Sequence, residues 1–362
     1  MVQAVNKQND KMSTFCTEPW SGILLRWGGR VQPCCSNSTP LGDIYKDSMD
    51  EIWNGEPMQN VRRLMREGKY KEAGCHSDCP IIYELNKHKK RQYILDEWAD
   101  IYTKNITFSQ NINNLKRDIQ SDSNIATCIP VTYDIQTTEF CNMDCIMCHQ
   151  DHHNKTTVPP EFIQKMFSDI EKVYWIRFQG GEVFVDKSFI GYLLKLKESL
   201  SDGQKIIVIT NGALVSEEDL DILTEGDNPI NFYVSMDALS PDIYKKIRNS
   251  SNFEKVKKNI LHLSKIQQYK NNFEILTWNF VIMKSNFHLI QDAIRFANEH
   301  QIKLVFLPIV GKYEDENLFI YPHLREAHCV DYIKESMNLV KTLGTNVSNL
   351  QQTLDWLSDE YK

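Results

Sequence analysis

Three closely spaced cysteines constrain this chain more than any other feature of its sequence. Cys141, Cys145 and Cys148 lie in the loop CNMDCIMC, which follows an apolar, strand-like run, VTYDIQTT. Thiolates at this spacing can bind three irons of a four-iron cluster and leave the fourth iron open to a substrate or cofactor. A zinc loop with His149 as a nominal fourth ligand is one alternative, and three unrelated buried thiols are another. The loop therefore favours an iron-sulfur centre with an open iron.

Four further motifs follow the cysteine loop, each where a predicted strand ends. They are FQGGE at 178–182, ITNG at 209–212, SMDALSPDIYKKIR at 235–248 and FVIMKSN at 280–286. With CxxxCxxC after a strand, this order resembles the radical S-adenosylmethionine (radical SAM) enzymes over roughly residues 130–310. The residue before the third cysteine is often aromatic in that family. Here it is Met147, whose thioether can also pack against an adenine ring.

Composition places the chain among ordinary globular proteins. Of its 362 residues, 41% are hydrophobic and 25% charged, and the net charge of -7 argues against a general nucleic-acid binder. The N-terminal MVQAVNKQNDK lacks the apolar core of a signal peptide, and no run reaches the roughly twenty apolar residues of a membrane helix. The ten cysteines are grouped, which predicts reduced, metal-bound thiols in a cytoplasmic protein.

A second group of cysteines precedes the first, within residues 15–80. The run ILLRWGGRVQPCC predicts a hairpin around a Gly-Gly turn, and 50–66 has helical spacing that Gly55 and Pro57 divide. The hairpin and the returning helix bring four thiols to one place. They belong to Cys16, Cys34 or Cys35, Cys75 and Cys79. Spacing alone leaves the metal open, because a structural zinc site also uses four cysteines.

The residues around these cysteines resemble the SPASM/twitch auxiliary-cluster module that many radical SAM enzymes carry. The shared features are GxVxPCC, LGDI, EIWNG and a closing pair of cysteines. That module usually follows the catalytic barrel, whereas here it precedes it. The resemblance implies one auxiliary cluster, of the 4Fe-4S type, held by Cys16, Cys34, Cys75 and Cys79. Cys35 is then the cysteine that does not bind the cluster, because adjacent cysteines rarely ligate one cluster together.

From Val131 onward, predicted strands and helices alternate. The strands are at 131–137, 175–179, 205–210, 231–236, 277–283 and 303–309, and the helical runs are at 160–173, 188–200, 216–223, 253–269, 288–299 and 329–343. Six such units predict an α/β fold with a parallel sheet and right-handed crossovers. This is an open, partial (βα)6 barrel, the shape that the resemblance also implies, and its functional groups belong at the carboxyl ends of the strands.

The chain is expected to divide into five segments. They are a disordered tail at 1–12, the cysteine-rich module at 13–82, a helical connector at 83–127, the barrel at 128–320 and a helical closing segment at 321–362. In the connector, 83–102 is predicted as one helix whose basic stretch, KHKKRQ, forms a solvated face, and 105–127 as a loop or short helix. An acidic partner or substrate at the basic stretch is the alternative.

The resemblance also implies the chemistry and the residues that carry it. The catalytic centre is the cluster on Cys141, Cys145 and Cys148, where reductive cleavage of S-adenosylmethionine gives methionine and a 5′-deoxyadenosyl radical. The implied cofactor-binding residues are Gly180, Gly181, Glu182, Thr210, Asn211, Ser235, Asp237 and Arg248. Glu182 is expected to meet the methionine ammonium. Without the resemblance, Asn211 reads as part of an Asn-Gly turn and Arg248 as half of a surface salt bridge.

Two functions of different classes follow from these patterns. The favoured one is a radical SAM enzyme that takes hydrogen from a peptide or a sugar-like small metabolite, with the auxiliary cluster assisting electron transfer. Flavodoxin or ferredoxin is the expected reductant, and neither a membrane nor nucleic acid is an expected partner. The alternative is a non-catalytic iron-sulfur carrier of electrons or clusters. A carrier needs the three-cysteine loop but has no use for Glu182 or the polar strand ends.

Overall fold

The computed structural model describes residues 11–77, 79–167, 169–270 and 273–358, and in it the chain forms two units. The first unit runs to Glu139 and also contains Lys155–Gly180 and Gly191–Ile207. The second consists of Phe140–Asn154, Gly181–Ile190 and the chain from Val208 onward. Residues 1–10 of the predicted tail, and 359–362 of the predicted closing segment, lie outside the described residues. At the end of that tail, Met12 begins a strand.

The first unit contains a sheet with antiparallel and parallel parts. The strands of this unit are β1 (Met12–Ser13), β2 (Gly22–Leu25), β3 (Arg30–Gln32), β4 (Gly42–Asp43), β5 (Arg91–Gln92), β6 (Thr132–Gln136) and β7 (Trp175–Gln179). Strands β2, β3 and β4 pair antiparallel, whereas β2 pairs with β6, and β6 with β7, in parallel. Strands β1 and β5 form a separate antiparallel pair. The cysteine-rich segment therefore shares its sheet with β6 and β7.

The helices of the first unit lie between these strands along the chain. They are α1 (Glu18–Ser21), α2 (Met49–Asn54), α3 (Glu56–Arg66), α4 (Pro80–His88), α5 (Ala99–Lys104), α6 (Ile106–Gln120) and α7 (Pro160–Lys165). Helix α8 (Ser188–Glu198) begins in the second unit and ends in the first, and strand β8 (Lys205–Thr210) runs from the first unit into the second.

Local sequence explains the hairpin and the divided helix, and both predictions are confirmed. Gly29 has a φ of +84°, and a Cβ there would clash with the ring of Tyr45, so the β2–β3 turn requires glycine. Helix α2 begins with a capping box, in which the Glu51 N–H donates to Ser48 Oγ and the Ser48 N–H donates to Glu51 Oε2. Gly55, in an extended conformation, separates α2 from α3.

The predicted connector differs from the structure in two places. The single helix expected over 83–102 is wrong, because Lys89 adopts a left-handed conformation and ends α4, after which come β5, a 3-10 turn at Asp96–Trp98 and α5. At 105–127, where a loop or short helix was expected, the structure forms the 15-residue helix α6. Asn105 caps α6 by accepting from the Phe108 N–H, and Phe108, Ile112 and Leu115 are fully buried at helical spacing.

The second unit contains parallel strands with intervening helices. Its strands β9 (Asn231–Ser235), β10 (Leu276–Ile282), β11 (Lys303–Pro308) and β12 (Val347–Ser348) pair in that order. Its helices are α9 (Glu217–Thr224), α10 (Pro241–Arg248), α11 (Phe253–Tyr269), α12 (Ile290–Glu299), α13 (Cys329–Leu343) and α14 (Leu350–Leu357). Trp278, Phe280 and Phe306 are fully buried side chains of this sheet. Such burial accounts for the apolar runs from which the strands were predicted.

The α/β fold with mostly parallel strands is confirmed. Each of the six predicted strands is present, from β6 to β11, with both ends within one residue of the expected position. The first predicted helix is shorter than expected: α7 ends at Lys165, because the Met166 and Phe167 amides donate three residues back and tighten the last turn. The five-segment division stays a prediction. Within the described part of the chain, no helix is both long and apolar enough to cross a lipid bilayer.

Candidate active site

The cysteine loop lies in the second unit and is attached to the end of α10. The Cys148 N–H donates to the Cys145 carbonyl at 3.0 Å, which closes a tight turn, and the Ile146 N–H donates to the Ile247 carbonyl at 3.0 Å. Cys141, Cys145 and Cys148 are free thiols and all three are half-buried. The loop therefore presents three half-buried cysteines from a backbone that is fixed by main-chain hydrogen bonds.

Three N–H groups point at the sulfurs of this loop. The Met143 N–H donates to Cys141 Sγ at 3.4 Å, and Asn211 Nδ2 lies 3.7 Å from the same sulfur. Arg248 Nη1 lies 3.7 Å from Cys145 Sγ. Donors of this kind stabilise thiolates and are the usual surroundings of metal-bound cysteine. The chemistry of the donor set thus fits a cluster held through thiolates.

Burial raises the pKa of two of these thiols, Cys141 and Cys145. It raises the pKa of Cys141 to about 11, and the nearby charges of Glu182, Cys145 and Cys148 act in the same direction. Burial also raises the pKa of Cys145, against the lowering effect of the Arg248 cation. Iron ligation requires thiolates, so metal binding at this loop releases protons.

Neither group of cysteines forms, within the described residues, a preformed site for a single metal ion. Among the residues that the structure describes, no three His, Cys, Asp or Glu side chains converge closely enough to hold one metal ion. A single zinc needs its four ligands around one point. In a four-iron cluster each thiolate binds a different iron, so the sulfurs stand farther apart.

A buried carboxylate organises the end of strand β8. Glu182 is 1% exposed, and its carboxylate accepts from Thr210 Oγ1 at 2.7 Å, from the Asn211 N–H at 2.7 Å and from the Phe184 N–H at 3.2 Å. Burial nevertheless raises the pKa of Glu182. The Asn211 side chain continues to the cysteine loop, where Nδ2 also donates to Asn142 Oδ1 at 2.8 Å. Glu182, Thr210, Asn211 and the loop therefore form one hydrogen-bonded network.

A buried ion pair joins the end of β9 to the end of α10. Arg248 Nη2 lies 2.6 Å from Asp237 Oδ2, with side-chain exposures of 8% and 0%. Asp237 Oδ1 accepts from the Val281 N–H at 2.8 Å, and Asn286 Nδ2 donates to the Asp237 carbonyl at 2.9 Å. The alternative of a surface salt bridge at Arg248 is wrong, because burial excludes solvent from the pair. Direct contact of Asp237 or Arg248 with S-adenosylmethionine stays a prediction.

The remaining predicted cofactor contacts lie at strand ends as expected. Ser235 ends β9 half-buried and pairs in register with Asn279 of β10. Gly180 follows β7 in the first unit, where a Cβ would lie 2.7 Å from the Thr138 carbonyl oxygen, so its close backbone contact requires glycine. Gly181 begins the next segment of the second unit. The roles of Gly180, Gly181 and Ser235 toward a cofactor stay predictions.

The second group of cysteines surrounds a cavity in the first unit. The cavity has a volume of about 190 Å³, and its lining includes Cys16, Cys34, Cys35, Cys75 and Cys79. Asn37, which is 1% exposed, donates from Nδ2 to Cys75 Sγ at 3.4 Å and to the Ala73 carbonyl at 2.7 Å. Sulfur donors around an enclosed space are what an iron-sulfur cluster requires, so these residues fit the predicted auxiliary cluster.

The surroundings of the two adjacent cysteines differ. Burial raises the pKa of both, but the charges that add to this rise at Cys34 include Cys16, whereas Cys35 is next to Asp134 and Arg177. These two residues form their own ion pair, with Arg177 Nη2 2.7 Å from Asp134 Oδ2. Cys34 thus interacts electrostatically with another of the predicted ligands, Cys16, and Cys35 is exposed. This supports the choice of Cys34, which stays a prediction.

Sequence reasoning missed several residues that shape the two sites. Asn37 supports Cys75, yet it stands in a polar run, CCSNSTP, that gives no sign of burial. Met143 is buried inside the cysteine loop, where the Tyr244 hydroxyl lies 3.8 Å from its Sδ. The apolar residue within an otherwise polar CNMDC was the only available signal for this contact.

Comparison with known proteins identifies two families in the chain. Residues 135–283 match the radical SAM superfamily, and residues 16–80 match SPASM, an iron-sulfur cluster-binding domain. Among curated proteins, the GTP 3′,8-cyclase of Desulforamulus reducens is 27% identical over 49% of this chain and 54% of its own length. The probable GTP 3′,8-cyclase of Methanocaldococcus jannaschii is 29% identical over 63% of this chain and 74% of its own length. The chain thus spans about half the length of the first of these relatives.

Comparison with solved structures also matches Streptococcus suis SuiB bound to precursor peptide SuiA. It has a TM-score of 0.49 and 13% identity, and the alignment covers 93% of this chain and 71% of SuiB. Native anSMEcpe with bound AdoMet has a TM-score of 0.47 and 20% identity over 60% of this chain and 63% of its own. These likenesses carry no conclusion about function.

The cysteine loop, the ordered strand ends and the family matches agree with one another: the chain contains a radical SAM region at residues 135–283. It also carries a SPASM iron-sulfur domain, at residues 16–80, ahead of that region. The cofactors that go with these two domains are S-adenosylmethionine, the 4Fe-4S cluster that binds it and a further iron-sulfur cluster.

Proposed function

We propose that this protein cleaves S-adenosylmethionine reductively and uses the product to take a hydrogen atom from a peptide or a small metabolite. When bound, the cluster on Cys141, Cys145 and Cys148 supplies the electron that yields methionine and a 5′-deoxyadenosyl radical. The protein's own residues hold the thiolates, orient the cofactor and exclude water. The auxiliary cluster, on Cys16, Cys34, Cys75 and Cys79, assists electron transfer, and a flavodoxin or ferredoxin is the proposed reductant.

The observation that carries this proposal is the network from Glu182 to the cysteine loop. A carboxylate that is 1% exposed holds Thr210 and the Asn211 amide, and Asn211 reaches Cys141 Sγ. Burying a carboxylate is unfavourable unless it is hydrogen-bonded, and three donors hold this one in a fixed position. An electron carrier has no use for a rigid polar surface beside one ligand of its cluster. A cofactor with an ammonium and a carboxylate group does require such a surface.

A guanosine nucleotide is a specific candidate for the substrate. The observation in its favour is that the relative from Methanocaldococcus jannaschii, a probable GTP 3′,8-cyclase, matches 63% of this chain. We therefore propose GTP as the first small metabolite to test. A peptide is the other class in the proposal. The cytoplasmic location likewise stays a prediction.

Anaerobically reconstituted protein tests the proposed reaction. It is incubated with S-adenosylmethionine and dithionite, and 5′-deoxyadenosine and iron are measured. We expect 5′-deoxyadenosine from the wild type and none from Cys145→Ala, with about eight irons in a wild-type chain that holds two four-iron clusters. Cys35→Ser, which alters an exposed thiol outside both predicted ligand sets, is the matched control.

Binding separates the proposal from the carrier alternative. If iron-loaded wild-type protein fails to bind S-adenosylmethionine in equilibrium dialysis, the protein is a carrier and the proposal is wrong. If it binds and cleaves the cofactor, adding GTP or candidate peptides and analysing the products by mass spectrometry identifies the substrate class. GTP that is recovered unchanged under these conditions argues for the peptide.

A further inference from the structure

Arg248 holds an unusual position, because its cation is buried beside a cluster ligand. Only 8% of its side chain is exposed, and Nη1 lies 3.7 Å from Cys145 Sγ. Its Nε is buried and has no hydrogen-bond partner among the described residues. The guanidinium thus has a free donor in addition to the contacts it makes. A donor left unpaired in the protein interior is unfavourable unless a bound group completes its hydrogen bonding.

The position of this cation is fixed from two directions. Asp237 Oδ2 lies 2.6 Å from Arg248 Nη2, and the Asp237 carboxylate is itself held by the Val281 N–H. The Ile146 N–H joins the cysteine loop to the Ile247 carbonyl, one residue before Arg248. The backbones at Cys145 and Arg248 therefore cannot separate without breaking a main-chain hydrogen bond, and the guanidinium cannot turn away without breaking its ion pair with Asp237. Their proximity is a built feature rather than a chance orientation of a long side chain.

A fixed cation next to a cluster ligand acts on the cluster's charge. Reduction adds one negative charge, and the Coulomb interaction with a nearby cation is strong where water is excluded. Net charge and hydrogen bonds to the sulfurs are two of the factors that set the potential of an iron-sulfur cluster. A cation favours the reduced state. The carboxylate of Asp237 offsets part of that effect because it carries the opposite charge.

We propose that the Asp237–Arg248 pair sets the reduction potential of the cluster on Cys141, Cys145 and Cys148. Arg248 raises that potential through its charge and its N–H contact with Cys145, and Asp237 positions the guanidinium and limits the rise. Both are positioning residues in this role, which is separate from any contact with S-adenosylmethionine. The inference rests on the cluster assigned to this loop under the proposed function.

The test is a redox titration monitored by electron paramagnetic resonance, without S-adenosylmethionine. The signal of this cluster is identified by its absence in Cys145→Ala. We expect Arg248→Met to shift the midpoint potential downward and Asp237→Asn to shift it upward, because the two changes remove charges of opposite sign. Lys245→Met is the matched control, since it removes an exposed cation from the same helix and is expected to leave the potential unchanged.

Opposite shifts distinguish this role from a structural one, which would move both variants in the same direction. The proposal is overturned if Arg248→Met leaves the potential unchanged, as it would if Arg248 contacted only the cofactor. Arg248→Lys keeps the charge and is expected to lie between wild type and Arg248→Met. If all three variants lose the cluster signal, the pair holds the loop together and does not tune it. Cleavage of S-adenosylmethionine is measured in a separate assay on the wild type. A wild type that does not cleave the cofactor would contradict the proposed function but would leave the measured midpoint potentials unchanged.

Discussion

Replacing Glu182 with glutamine tests whether the buried carboxylate organises the candidate site. Both carboxylate oxygens accept hydrogen bonds, Oε1 from Thr210 and the Phe184 N–H, and Oε2 from the Asn211 N–H. Glutamine keeps one oxygen and replaces the other with an NH₂ donor. In one orientation that donor faces the Asn211 N–H, and in the other it faces the Phe184 N–H. One main-chain donor therefore loses its acceptor in either orientation.

The size of the effect follows from these contacts. Losing a hydrogen bond to a charged group costs about 1.5–3 kcal/mol, and an unsatisfied buried donor costs about 1–3 kcal/mol. Part of this loss is offset, because burial raises the pKa of Glu182 and the neutral glutamine avoids burying a charge. We expect Glu182→Gln to lower the free energy of unfolding by about 2–4 kcal/mol. For a unit of this size, the unfolding temperature falls by about 2–4 °C per kcal/mol.

Hydrogen exchange gives the most direct measurement of this change. The Asn211 or the Phe184 amide is expected to lose protection in Glu182→Gln, and the thermal unfolding temperature is expected to fall. Glu198→Gln, at an exposed position, is the matched control. Unchanged protection of both amides, with an unchanged unfolding temperature, would refute the assignment of Glu182 as the residue that organises the end of β8.

Three further substitutions test other parts of the structure. Cys34→Ser is expected to lose about four irons per chain, whereas Cys35→Ser keeps the wild-type iron content, because Cys34 is a predicted ligand of the auxiliary cluster and Cys35 is exposed. Gly180→Ala is expected to lower the free energy of unfolding by about 1–3 kcal/mol, since the new Cβ meets the Thr138 carbonyl, and urea unfolding measures it. Arg62→Met is expected to lower it by about 2–4 kcal/mol, because the buried guanidinium bonds two main-chain carbonyls.

Each of these predictions has a contradicting result. Equal iron loss from both cysteine variants would mean that the cluster uses either thiol. The control for Gly180→Ala is Gly191→Ala, where a Cβ meets nothing within 4 Å. Equal urea midpoints for these two variants would contradict the expected clash between a Cβ at residue 180 and the Thr138 carbonyl. An Arg62→Met protein as stable as wild type would show that its carbonyl partners find other donors.

The strands and the cysteine loop were predictable because local sequence determines them. Buried parallel strands require continuous apolar runs, and the site residues follow those runs directly. Helix α6 was not predictable in the same way, because its asparagines suggest a loop. In the structure, Asn111 is 3% exposed and its amide bonds the carbonyls of Ile129 and Lys172. These polar residues are used in tertiary hydrogen bonds, which no local pattern reveals.

The candidate site shows the same limit. The order of the motifs predicted that Glu182, Asn211 and the cysteine loop belong to one site, because they follow successive strands. Nothing in the sequence showed that Asp237 and Arg248 pair with each other, because partners in a buried ion pair are chosen by packing in three dimensions. The break at Lys89 was equally hidden, since neither glycine nor proline marks the left-handed residue that ends α4.

The parallel pairing of β2 with β6 determines when the cysteine-rich segment completes its folding. Leu25 pairs with Ile135, which follows it by 110 residues. During synthesis, β2 therefore cannot pair with β6 until most of the first unit has left the ribosome. Until then one edge of the β2–β3 hairpin stays unpaired. A chain cut after residue 82 keeps that edge permanently, and exposed strand edges associate with other copies. Expression of this segment alone is therefore expected to give aggregates rather than a small iron-sulfur protein.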